Sequence, residues 1–148
     1  MAGRIFSDGY TAKQVVAVTG VSYQTLNLWA RTGLVEPSIA QAAGTGTERI
    51  YSFRDLIALK LAVELRKGGV TTRALHRVIA FLKRSKGLEN HLSEARLVVT
   101  QDDVLLVRSN KELISVLRKP GQAYLAFVLD LPRTVIAIRE AAERLQVA

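Results

Sequence analysis

Apolar positions recur first at helical spacing and later at strand spacing, and the change of rhythm divides the chain. Over TAKQVVAVTG, Val15, Val16 and Val18 fall in one short segment that Thr11 can cap and Gly20 can end. Ser22 then caps a second helix, Tyr23–Thr32, which stops at Gly33. The following EPSIAQAAGTGTERIYSF alternates weakly about a GTGT tip, which predicts two short strands near residues 38–42 and 48–51. Ser52 and Asp55 have capping-box spacing at the head of a helix over Phe53–Lys67, with Leu56, Leu59, Val63 and Leu65 among its apolar positions and Gly68-Gly69 at its end. Thr71 or Thr72 caps a fourth helix to about residue 85, striped by Leu75, Val78, Ile79 and Leu82.

After SKGLEN the period shortens. RLVVTQDDVLLVR is two β-rich runs about a polar turn, a hairpin by pattern. SNKELISVLRK reads as a short helix, and AYLAFVLDL as a buried strand with helix as the alternative. Pro132 suits the first turn of a last helix, RTVIAIREAAERL. The expected class is α+β: an N-terminal winged helix-turn-helix of four helices and a small β-wing, then a small α/β module with a C-terminal helix. The boundary falls near Gly87, giving units 1–86 and 87–148.

Charge changes the picture more than composition does. The net charge is +8, and all of it lies in the first unit. Residues 1–86 hold 13 Lys/Arg against 5 Asp/Glu, whereas residues 87–148 hold 8 of each. An excess confined to one unit points to a polyanion meeting that unit, with nucleic acid as the reading it favours. The chain has no cysteine, so neither a disulfide framework nor a thiolate metal site is expected. No apolar run approaches the ~18 residues that span a bilayer, and MAGRIFSDGY lacks the apolar centre of a secretion signal. A cytoplasmic, nucleoid-associated protein with no membrane partner is the expectation. His76 and His91 have no companion at ligand or triad spacing, and Asp102-Asp103 is turn sequence. No catalytic residue, metal or cofactor is expected.

These pieces in this order resemble the MerR-type winged-helix DNA-binding domain. They are Tyr10-Thr11, Gly20-Val21-Ser22, Thr25-Leu26, Trp29, Gly33-Leu34, Pro37, Arg49, Tyr51-Ser52, Asp55-Leu56, Leu65-Arg66 and Gly69-Val70. Two departures stand out. Asn27-Leu28-Trp29 replaces the family's frequent Arg-Tyr-Tyr, and β-rich sequence replaces its long coiled-coil helix after the fourth helix. The second unit, through the turn KPGQ at Lys119 to Gln122, is similar to antitoxin-like regulators encoded beside PIN-type ribonuclease toxins. That resemblance implies a toxin protein as a partner.

Within such a scaffold the helix Tyr23–Thr32 divides by face. Tyr23, Asn27 and Arg31 lie four apart with Gln24 beside them, offering amide and guanidinium groups suited to base edges. Leu26 and Trp29 lie on the other side and are expected to pack inward. Leu28 can meet a thymine methyl or simply be exposed. Arg49 and the GTGT tip are the wing candidates for phosphate or minor groove, and Tyr51 of the same strand is counted with them. Arg54, in a first helical turn, is placed for a phosphate; Lys13 and Lys67 are further phosphate candidates. Arg73, Arg77, Lys83 and Arg84 can steer DNA or serve solubility.

A single small winged helix gives limited specificity, so a homodimer on a two-fold operator is expected. Val135, Ile138, Ala142 and Leu145 form either a helix–helix seam for it or core packing within one chain. Three readings follow: a transcriptional regulator, most simply a dimeric repressor; an antitoxin that autoregulates its operon; and an architectural DNA-bending factor of the excisionase type.

Overall fold

A computed structural model describes residues 9–40, 49–84, 96–99, 104–107, 111 and 127–147. Strand β1 (Tyr10–Thr11) leads directly into helix α1 (Ala12–Thr19). The Thr11 hydroxyl accepts from the Gln14 N–H while the Gln14 side chain accepts from the Thr11 N–H, a reciprocal cap at the helix start. Gly20 ends α1 at φ 79°, a left-handed backbone that glycine adopts without strain. Thr19 fastens the turn: its buried hydroxyl donates to the Val15 carbonyl at 2.8 Å and accepts from the Val21 N–H at 3.2 Å. Helix α2 (Tyr23–Thr32) follows, capped by the Ser22 hydroxyl and ended by Gly33 at φ 83°.

Two of the expected wing segments meet as antiparallel backbone. Ala40 bridges Ile50, and β2 (Ile50–Tyr51) pairs with β1, Tyr10 opposite Tyr51 and Thr11 opposite Ile50. The β1 strand is an addition to the sequence expectation, because two residues carry no period and only the partner strand defines them. The GTGT tip lies outside the described residues. Helix α3 (Phe53–Lys67) begins with the Ser52–Asp55 capping box. Asp55 does more than cap: its carboxylate accepts from the Ser38 N–H at 2.8 Å, the Ser38 hydroxyl and the Ser52 N–H at 2.9 Å. One buried carboxylate thereby ties both arms of the wing to the head of α3.

Helix α3 buries a broad apolar face, while Glu64, Arg66 and Lys67 near its end are exposed. Leu56, Ile57, Leu59, Leu61, Ala62 and Leu65 are all buried. Helix α4 (Thr72–Arg84) is the amphipathic contrast. Its Leu75, Val78, Ile79 and Leu82 are buried, while Arg73, His76, Arg77 and Lys83 are exposed.

The hairpin expected from RLVVTQDDVLLVR is present as β3 (Arg96–Val99) antiparallel to β4 (Val104–Val107), with Val99 opposite Val104. AYLAFVLDL contributes β5 (Phe127–Asp130), antiparallel to β3 on its other side, so the sheet order is β4-β3-β5. The strand reading prevails over helix there. The helix expected over SNKELISVLRK lies, Lys111 apart, outside the described residues. Asp130 accepts from the Arg133 N–H at 3.1 Å and launches α5 (Leu131–Val147), with Pro132 in its first turn.

Helix α5 packs on α1 and α3 of the winged helix and on β3. Leu131, Val135, Ile138 and Ala142 join Leu97, Val99, Val15 and Leu59 in one buried cluster, with Leu145 packed at its edge. The row expected either as a dimer seam or as core is therefore core: its apolar face is covered by the chain's own helices. Gly87, the expected boundary, lies outside the described residues; the helices on either side of it share this core.

Candidate nucleic-acid interface

The α2 face divides as the spacing requires. Leu26 is fully buried and Trp29 nearly so, holding the helix to the core. Tyr23, Gln24, Leu28 and Arg31 are exposed, Tyr23 at 56% and Leu28 at 47%. Tyr23 and Leu28 give this open face two large side chains, and Tyr23 adds a polar tip to an apolar ring. Asn27 lies between the two faces and is half-buried.

The wing reaches Asn27 directly: Arg49 Nη1 donates to Asn27 Oδ1. Two residues 22 apart in sequence are thus joined across the gap between β2 and α2, a pairing that no short-range pattern reveals. Tyr51 is fully buried and stands outside the DNA-facing set in which the sequence placed it. Tyr51 pairs with Tyr10 of β1 and faces the core, while Arg49, just before the strand, reaches across to α2. Among the described residues its hydroxyl has no hydrogen-bond partner. Burial pushes the Tyr51 phenol up from its ordinary value; the Arg49 charge opposes this, and Asp55 and Tyr23 add to it.

Arg54 is engaged at the other end of the wing base. Its Nη2 donates to the Leu82 carbonyl at 2.7 Å, in the last turn of α4. A cation there complements the carbonyl end of a helix, so its position in the first turn of α3 has an internal explanation. With Lys83 it lines a cleft of about 260 Å³ floored by Ile57 and Ile79. Lys13 and Lys67 are exposed on α1 and α3. Sequence reasoning missed the roles of Thr19, Ser38 and Asp55 in fixing the turn and the wing. A Thr directly before the glycine of the turn was the available signal for the first; the Ser38–Asp55 link spans 17 residues and had none.

Among the described residues no group of three His, Cys, Asp or Glu side chains could hold a metal ion, and no helix is long and apolar enough to cross a membrane. The basis of the antitoxin resemblance, Lys119 to Gln122, lies outside the described residues.

Two capped helices about a glycine turn, with the second helix open to solvent and a wing strand bonded to it, define a winged helix-turn-helix of the kind that reads DNA. Residues 10–82 match the MerR HTH family regulatory proteins, and this segment is a MerR-family helix-turn-helix domain. Three mycobacterial proteins named as uncharacterized HTH-type transcriptional regulators are also similar, one from Mycobacterium bovis and one from each of two strains of Mycobacterium tuberculosis. Each is 33% identical over 110 residues, covering 74% of this chain and 48% of the relative. The chain therefore spans about half the length of the curated relatives it matches.

Proposed function

We propose that this protein binds double-stranded DNA sequence-specifically and regulates transcription, as a homodimeric repressor on an inverted-repeat operator. The observation that carries this reading is the outward row of α2: Tyr23, Gln24, Asn27, Leu28 and Arg31 on a helix anchored from behind by Leu26 and Trp29. The family of residues 10–82, the names of the relatives and the positive charge of the N-terminal unit support it. Arg31, Lys13 and Lys67 supply phosphate contacts, and the amides and Leu28 supply base contacts. A ten-residue helix covers only a half-site, so two copies are needed for a useful specificity ratio.

A footprint on the DNA upstream of the protein's own reading frame tests this. A protected inverted repeat is the expected result, and uniform affinity for every duplex with no protected region contradicts it. In the same assay, Arg31→Ala weakens binding across all sequences and lowers the salt slope by about one.

A further inference from the structure

Asn27 stands where its amide can face a base, but one end of that amide is already committed. Arg49 Nη1 donates to Asn27 Oδ1, and among the described residues neither side chain makes another hydrogen bond. An arginine side chain is charged at any working pH and is donor-only. If the amide turned over, its NH₂ would face the guanidinium, setting donor against donor. Arg49 therefore fixes which end of Asn27 points to the wing and leaves the NH₂ as the end available to DNA. Both residues are half-buried, and Arg49 lies beside the fully buried Tyr51, so the pair is backed by the core.

The consequence concerns specificity. An amide pairs with adenine by accepting from N6 and donating to N7, which needs both ends of the amide on the base. With Oδ1 turned to the wing, the NH₂ is the end turned to the groove, and the donor half is the one that meets the base. Guanine presents acceptors at both O6 and N7 and thymine at O4, whereas adenine's one acceptor, N7, stands beside an amino group that needs the amide oxygen, and cytosine presents only an amino group. We infer that Asn27 is a specificity-determining residue that selects a keto base, guanine or thymine, and that Arg49 is the positioning residue holding it in that donor state. This rests on the DNA-binding reading above.

The test is selection of binding sites from a random duplex pool, followed by affinities for the four single-base variants of the selected site. Full-length protein is used with Arg49→Met, which keeps the stem and removes the donors, with Arg49→Lys, which keeps a donor, and with Asn27→Asp. The wild type is expected to select guanine or thymine at one position in each half-site. Arg49→Met moves that position toward adenine by about tenfold, the discrimination one amide–base pair supplies. Arg49→Lys retains the original base. Asn27→Asp, an acceptor-only side chain, moves the preference to an amino base, with circular dichroism confirming that each variant is folded. Uniformly weaker binding by Arg49→Met with unchanged base preference makes Arg49 a phosphate contact only and overturns the inference. Selection of adenine by the wild type at the Asn27 position overturns it as well. In both cases DNA recognition itself stands. A pool that yields no motif at all removes the DNA-binding reading together with the inference.

Discussion

Tyr51 holds a hydroxyl inside the core without a hydrogen-bond partner among the described residues. An unmade hydrogen bond there costs on the order of 1–3 kcal/mol, so Tyr51→Phe is expected to leave stability unchanged or raise it by about 1 kcal/mol in urea denaturation at neutral pH. The pH dependence has a definite sign. Burial raises both Tyr51 and Tyr10 above the ordinary 10.0, so above that pH the unfolded chain loses these protons before the folded one does. Stability is full below pH 10 and falls as pH rises from there through the raised values, by up to about 1.4 kcal/mol per pH unit for each group. Tyr51→Phe removes one of the two contributions, and its denaturation midpoints should decline less steeply with pH. At this scale the sequence showed residue types and faces well. Leu26, Trp29, Tyr23 and Arg31 lie where a 3.6-residue period puts them. It failed for Tyr51, because inward or outward on a two-residue strand is decided by the partner strand rather than by any local period.

Among the elements, helix ends were legible and cross-links were not. Ser22, Ser52 with Asp55, Gly20 and Gly33 all act at the termini their chemistry suits, because caps are local and span three or four residues. The wing is held by something longer in range: the Asp55 carboxylate gathers Ser38 and Ser52. Asp55→Ala removes the shared acceptor of the Ser38 and Ser52 N–H groups and the Ser38 hydroxyl, so a loss of about 1–3 kcal/mol is expected, read by thermal or urea unfolding. Asp55→Asn keeps one acceptor oxygen and should recover part of it. Because the wing carries Arg49 to Asn27, the same substitutions should also weaken discrimination between operator and unrelated DNA. A loss of stability with unchanged discrimination would separate the wing's anchoring from its reading role.

Over the whole molecule, the change from helical to strand period is legible in the sequence, but the core shared across that change is not. The α5 row is apolar at a spacing that suits another chain or this one, and only the packing on α1 and α3 distinguishes them. Ile138 is 1% exposed in that cluster. Ile138→Ala is expected to cost about 2–5 kcal/mol and to lower the unfolding midpoint of the winged helix with that of the second half. Two separate transitions, only one of them shifted, would mean that the halves unfold independently. The resemblance to MerR-type domains came from ordered short motifs in the first half, and nothing comparable marks how the second half serves function. The most direct measurement of the central claim is the affinity of the full chain for its selected duplex and for a scrambled duplex of equal length, both at physiological salt. Recognition through the α2 face requires the selected duplex to bind at least about 10³-fold more tightly, with Asn27→Ala reducing that ratio. Equal affinity for the two duplexes would contradict it.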